Sequence, residues 1–104
     1  TTFVRYFVNE FQSLYNLPQT EITSPTFSLL NEYQLKDIRI KHYDLFRINR
    51  KEDIKNLDIF EKDNKLITLI EWPQLLTDAQ NIKSIDLTFH YLNGLNDRSV
   101  EIKV

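Results

Sequence analysis

Phe3, Val4, Phe7, Val8, Phe11, Leu14 and Tyr15 recur at three- and four-residue spacing. They form one apolar stripe, which predicts an amphipathic helix over the first fifteen positions. The helix is expected to stop before Asn16-Leu17-Pro18. Thr1 and Thr2 stand at its N-terminus, where free backbone N–H groups and the helix dipole favour anions. A polar loop leads to Ile22-Thr23-Ser24-Pro25-Thr26-Phe27. There Pro25 blocks regular helix and biases Ser24 to an extended conformation. Residues 27–35 and 38–46 read as two strands, and Ile38, Ile40, His42 and Asp44 share one face by the period-2 rule. Residues 51–62 read as a helix with Ile54, Leu57 and Phe60 on one side. Leu66-Ile67-Thr68-Leu69-Ile70 is almost continuously apolar, as expected of a strand covered on both faces. Residues 73–80 predict a short helix with Pro73 in its first turn. Ile85, Leu87, Phe89 and Tyr91 alternate with polar residues, as do Val100, Ile102 and Val104. Asn93-Gly94 opens the turn between them, so an antiparallel hairpin with one wet face is expected.

Length and charge narrow this picture. A chain of 104 residues predicts a single domain, 1–104, with a modest core. The formal charge of −2 supplies no general pull toward nucleic acid. With no Cys there is no disulfide framework and no thiolate chemistry, which fits a reducing compartment. No apolar run approaches the ~20 residues of a membrane span, and no signal-peptide pattern opens the chain. Glycine is the anomaly. Gly94 stands alone, where average usage of ~7% would give roughly seven. Thr1 also runs directly into a helix, so the chain reads as one that begins inside a domain.

Three short signatures place polar groups at the ends of apolar runs. They are Ser24-Pro25-Thr26-Phe27, His42-Tyr43-Asp44-Leu45-Phe46-Arg47 and Leu69-Ile70-Glu71-Trp72-Pro73. Ligands of open α/β sheets bind beyond the carboxyl ends of strands, and two acids with a Thr there would suit a magnesium–nucleotide site. Glu71 can bind Mg²⁺ or orient a water; equally, it can cap the next helix or make a surface pair. Asp44 resembles the acid that ends a strand in phosphoryl-transfer enzymes, and from spacing alone a strand-end turn or a pair with Arg47 fits it as well. His42 can be a base, a metal ligand, or a satisfied, half-buried ring that positions Asp44. His90 lies on the polar face of the hairpin. Thr26 can meet Mg²⁺ or a γ-phosphate as switch threonines do, or simply start a strand. Trp72 can pack against a base or belong to the core. Lys36, Arg39, Lys41, Arg47, Arg50 and Lys51 form a loose basic stretch without the aromatic platform of an RNA-binding sheet, and read as a solvated face.

Taken in order, Thr1-Thr2-Phe3-Val4-Arg5, Ser24-Pro25-Thr26-Phe27, Asn31-Glu32-Tyr33, His42-Tyr43-Asp44-Leu45-Phe46-Arg47 and Leu69-Ile70-Glu71-Trp72-Pro73 resemble the bacterial TsaE (YjeE) family. The resemblance spans essentially the whole chain. It implies a P-loop ATPase needed to make N6-threonylcarbamoyladenosine in tRNA. It implies a three-layer α/β fold with a mixed sheet and a C-terminal antiparallel hairpin. It also implies that the first strand and most of the glycine-rich Walker A loop lie upstream of Thr1, which would leave the chain as it stands N-terminally incomplete and inactive. Carried across by motif, Thr1, Asp44 and Glu71 would meet Mg²⁺, with Asp44 and Glu71 catalytic. Thr1, Thr2, Thr26, Trp72 and, more weakly, Arg98 would face ATP. The partners implied are TsaB and TsaD, with tRNA involved indirectly, no membrane, and a cytoplasmic location. A reading from a different class is a nucleotide-sensing module whose ATP binding controls partner docking, with incidental turnover.

Overall fold

The computed structural model describes residues 1–25, 28–76, 83–91 and 98–104. The apolar stripe of the first fifteen residues forms helix α1, Thr2–Leu14. Val4 and Val8 are buried against Ile22, Leu35 and Ile40, and Phe7 and Phe11 close over them. Each fully buried Val contributes about 1.5–3 kcal/mol relative to an exposed one. Leu14 and Tyr15, at the end of the stripe, stay largely exposed. The helix ends as Asn16 turns left-handed at φ 55, just before Pro18.

The central sheet has three strands in the order β1 (Leu30–Leu35), β2 (Ile38–Asp44) and β3 (Leu66–Glu71). β1 and β2 are antiparallel, and β2 and β3 are parallel. Alternation along β2 sorts its side chains into two layers. Ile38 and Ile40 face α1 together with Tyr33, Ile67 and Leu69. Tyr43 faces the opposite side, where Leu45, Ile54 and Ile59 are buried with it. The expected mixed sheet is therefore present, with apolar clusters on both faces. The antiparallel hairpin also forms, from β4 (Asp86–Tyr91) and β5 (Arg98–Lys103), as a separate two-stranded sheet.

Five expectations are corrected. The helix predicted over 51–62 is a 3-10 helix, Lys51–Leu57. Asp58, left-handed at φ 52, stops it and turns Ile59 inward, leaving Phe60 47% exposed. The helix predicted over 73–80 is a 3-10 turn, Pro73–Leu75, and residues 77–80 lie outside the described residues. β3 is half-exposed along its whole length, because among the described strands it occupies an edge of the sheet. The apolar face of the hairpin is also wet: Ile85, Phe89, Val100 and Ile102 are exposed, although the Phe89 ring meets Phe3 at 5.9 Å. The two strands of the first hairpin are shorter than expected, since β1 starts at Leu30 after a left-handed Leu29 and β2 ends at Asp44. The Asn93-Gly94 turn lies outside the described residues.

Glycine scarcity leaves a mark on the backbone. Asn16, Leu29, Lys36, Asp58 and Trp72 all take positive φ without being glycine. Asn and Asp tolerate this conformation through their short polar side chains. Leu29 and Trp72 do not have that relief, and left-handed backbone costs such residues on the order of 1–3 kcal/mol.

Candidate active site

Parallel pairing sets Asp44 opposite Glu71 at the carboxyl ends of β2 and β3. Two residues earlier, His42 lies opposite Leu69 on the face that carries α1. The N-terminus of α1 reaches the same corner, where Thr1 Oγ1 donates to Glu71 Oε2 at 3.0 Å. Thr1 makes no side-chain cap on its own helix; its hydroxyl is directed to the carboxylate instead.

Asp44 is held from its other side. Its Oδ2 accepts from Ser24 Oγ at 3.3 Å, and its Oδ1 accepts the Phe46 N–H at 3.1 Å. Its own N–H donates to the Leu29 carbonyl at 3.1 Å. Ser24, from the first of the three signatures, is thereby tied to the second. This contact supports convergence of the Ser24-Pro25 segment with the acids, although Thr26 itself lies outside the described residues.

His42 departs from expectation. It is fully buried, not half-buried, and its ring bonds Glu71, not Asp44: Nε2 lies 2.8 Å from Glu71 Oε2. Its Nδ1 is buried with no hydrogen-bond partner among the described residues. Burial, above all, pushes the imidazole down to about 4, against the opposite pull of Asp44. The ring is therefore neutral at pH 7, and as a neutral ring it reaches Glu71 by donating from Nε2. The sequence carries no local cue to this partner, because it follows from the register between β2 and β3.

Trp72 follows Glu71 at φ 60 and is 52% exposed. It is therefore not core. Its indole packs on Phe46 with ring centroids 5.0 Å apart, and both border a cavity of about 350 Å³ with Leu45, Ile48, Asn49, Gln74 and Leu75. Thr2 opens α1 at the same corner as Thr1 and is exposed. Arg98 opens β5, on the hairpin and not on the central sheet, and is also exposed.

The basic stretch is not a uniformly solvated face. Lys41 is only 4% exposed, with Nζ 3.0 Å from Glu61 Oε1 and 3.2 Å from the Asp58 carbonyl. Arg39 bonds the other Glu61 oxygen. These bonds, Arg39 first, hold the Glu61 carboxyl below its usual value. Burial alone would lower the Lys41 ammonium, yet the Tyr43 side chain and Glu61 leave it raised. Both charges are therefore spent on fixing the Asp58 corner against the sheet.

The donor chemistry of the corner fits a hard cation. Thr1 offers a hydroxyl and Asp44 and Glu71 offer carboxylates, and Mg²⁺ takes one or two carboxylates together with water and phosphate oxygens. Among the described residues no group of three or more His, Cys, Asp or Glu is arranged to hold a metal. An all-protein cage is thus not what this corner offers; a shared site with ligand oxygens is. No helix of the described residues is long and apolar enough to cross a membrane.

Comparison with known proteins converges on one family. The family model described as threonylcarbamoyl adenosine biosynthesis protein TsaE matches residues 1–100. The tRNA threonylcarbamoyladenosine biosynthesis protein TsaE of Rickettsia typhi is 36% identical over 84 residues, covering 81% of this chain and 58% of that protein. Its counterpart in Rickettsia conorii is 37% identical over 91 residues, covering 88% and 47%. A more distant one, from Haemophilus influenzae, is 33% identical over 75 residues, covering 65% and 46%. The chain spans about half the length of the relatives it matches.

Proposed function

The chain belongs to the TsaE family of threonylcarbamoyladenosine biosynthesis proteins, and from that premise we propose that the full-length protein is a Mg²⁺-dependent ATPase. It would serve N6-threonylcarbamoyladenosine modification of tRNA in the cytoplasm, acting with TsaB and TsaD. The P-loop fold is part of the same proposal. The observation that carries it is the corner where Thr1 Oγ1 and His42 Nε2 both reach Glu71 Oε2, one strand away from Asp44.

In this reading Thr1 and Glu71 would hold Mg²⁺, and Asp44 would hold the metal or orient the attacking water. Bound Mg²⁺ neutralises charge on the phosphates, which is most of what phosphoryl transfer asks of its site. The chain's own residues do the positioning. Ser24 and the Phe46 N–H fix the Asp44 carboxylate, and Thr1 fixes Glu71 against the N-terminus of α1. Thr26 belongs to the switch-like loop. Thr2, Trp72 and Arg98 face the nucleotide, Arg98 on the weakest grounds.

The competing proposal is a nucleotide-sensing module that controls partner docking. The exposed apolar residues Ile85, Phe89, Val100 and Ile102 of the hairpin favour it. Single-turnover ATP cleavage by the full-length protein, with and without TsaB and TsaD, separates the two. Cleavage that the partners accelerate supports the ATPase. Negligible cleavage, unchanged by partners whose assembly nevertheless requires ATP, supports the module.

A further inference from the structure

His42 helps to define the corner through its contact with Glu71 but has been given no role of its own, and it is the most deeply buried polar group at the site. It projects from the middle of the central strand to the face covered by α1, with no exposed surface. One ring nitrogen lies 2.8 Å from Glu71 Oε2; the other meets no hydrogen-bond partner among the described residues. A neutral imidazole carries a single N–H. With the proton on Nε2, the ring donates to the carboxylate and leaves only a lone pair unmatched. With the proton on Nδ1, a buried N–H would find no acceptor and the Nε2 lone pair would oppose a carboxylate oxygen. The Glu71 contact therefore selects the Nε2–H tautomer. The same oxygen accepts from Thr1 Oγ1 at 3.0 Å. Two donors, one on a central strand and one at the start of a helix, then converge on one Glu71 oxygen and aim its side chain.

We propose that His42 is a positioning residue, which donates from Nε2 to hold Glu71 in the orientation that also meets Thr1. This inference rests on the reading of Thr1, Asp44 and Glu71 as a Mg²⁺–nucleotide site. Groups that orient a metal-binding side chain in this way are worth ~10–100-fold in metal affinity or activity.

The test uses the full-length protein, with binding as its main readout. Calorimetry gives the affinity for ADP with Mg²⁺ and with EDTA; turnover is then followed against Mg²⁺ concentration. His42→Gln carries an amide N–H to about the place of Nε2, whereas His42→Asn is too short to reach it and His42→Leu has no donor. Asn and Leu are expected to weaken the Mg²⁺-dependent part of ADP binding by ~10-fold and to raise the Mg²⁺ needed for half-maximal turnover similarly. Metal-free ADP binding should not move, and Gln should stay within ~3-fold of the parent. A merely structural His42 would weaken metal-free binding equally, or would be replaced as well by Asn as by Gln; either result overturns the proposal. If Leu does not fold, the Gln and Asn pair decides alone. Failure of the underlying reading looks different: ADP binding by the parent protein would then show no Mg²⁺ dependence at all, and the positioning role would fall with it. A parent that shows the dependence, with an Asn variant that keeps it in full, removes only the role of His42.

Discussion

Glu71→Gln in the full-length protein removes one charge and almost no volume. Glu71 accepts bonds from Thr1 and His42, and one strand away stands Asp44. A glutamine oxygen in the place of Oε2 can keep accepting from both His42 and the Thr1 hydroxyl, so the hydrogen bonds at that oxygen survive. What is lost is attraction for a cation. Two unit charges 4 Å apart interact by about 1 kcal/mol in water and by about 4 kcal/mol at an effective dielectric of 20. Glu71, with a side chain 24% exposed, lies between those limits. A loss of about 1.4 kcal/mol in the transition state is already ~10-fold in rate, and that is the minimum expected. Stability of the nucleotide-free protein should change by less than about 1 kcal/mol, since weaker bonds at Glu71 are offset by relief of repulsion from Asp44. The assay is single-turnover cleavage at saturating Mg²⁺ and ATP, alongside thermal unfolding. A folded variant that binds ATP and cleaves it at the parent rate refutes the assignment of Glu71. So does a variant that unfolds easily but turns over normally once folded, because Glu71 would then be structural.

Tyr43→Phe removes a buried hydroxyl that donates to the Leu57 carbonyl at 2.6 Å, while Lys41 continues to serve the Asp58 carbonyl; a loss of about 1–2 kcal/mol and a few degrees of melting temperature is expected, and an unchanged melt would refute it. Acid stability should carry a His42 component: its folded value of about 4 lies below the ordinary 6.5, so the unfolded chain takes up a proton first, and stability is full above 6.5 and falls by up to about 3 kcal/mol as pH drops toward 4. His42→Gln should flatten unfolding free energy against pH in that window alone, because Glu61, lowered by Arg39 and Lys41, gives its contribution above 4.5 and loses it only at lower pH; an identical slope in parent and variant would count against a buried neutral ring. Trp72, the single Trp of these 104 residues, is exposed beside Phe46 at the end of β3. Mg-ATP should change its fluorescence in the full-length protein, Thr26→Ala should reduce that change, and flat emission during saturable ATP binding would separate Trp72 from the ligand.

Much of this site was legible because it hangs on two periodicities. The stripe from Phe3 to Phe11 and the alternation of Ile38, Ile40, His42 and Asp44 place the helix and the acid without reference to any partner. The 3-10 helix was not legible: Ile54, Leu57 and Phe60 fit helical spacing, and only the left-handed turn at Asp58 shows why Ile59 goes inward instead. Lys41 looked like one of several surface cations, because nothing local announces that Glu61, twenty residues on, will bury it. The partner of His42 was misread for a related reason. Sequence neighbours two apart on a strand point the same way but do not touch first; the adjacent strand does, and its register is a tertiary property.

That register is what assembles the corner. A slip of one residue between β2 and β3 would send Glu71 to the opposite face from His42 and Asp44. The pairs Ile40 with Ile67 and His42 with Leu69 oppose such a slip, because it would carry Ile67 and Leu69 out of the core beneath α1. The apolar core therefore specifies the distance between two acids that are not part of it. The backbone then reverses at once: Leu29 turns left-handed just before β1 and accepts the Asp44 N–H, and Trp72 turns left-handed directly after Glu71. Two bulky residues in that conformation, both adjoining the carboxylates, cost on the order of 1–3 kcal/mol each. A chain selected only for stability would place glycine or asparagine there. Strain is thus kept where the backbone adjoins the two acids, at Leu29 through its bond from the Asp44 N–H and at Trp72 directly after Glu71.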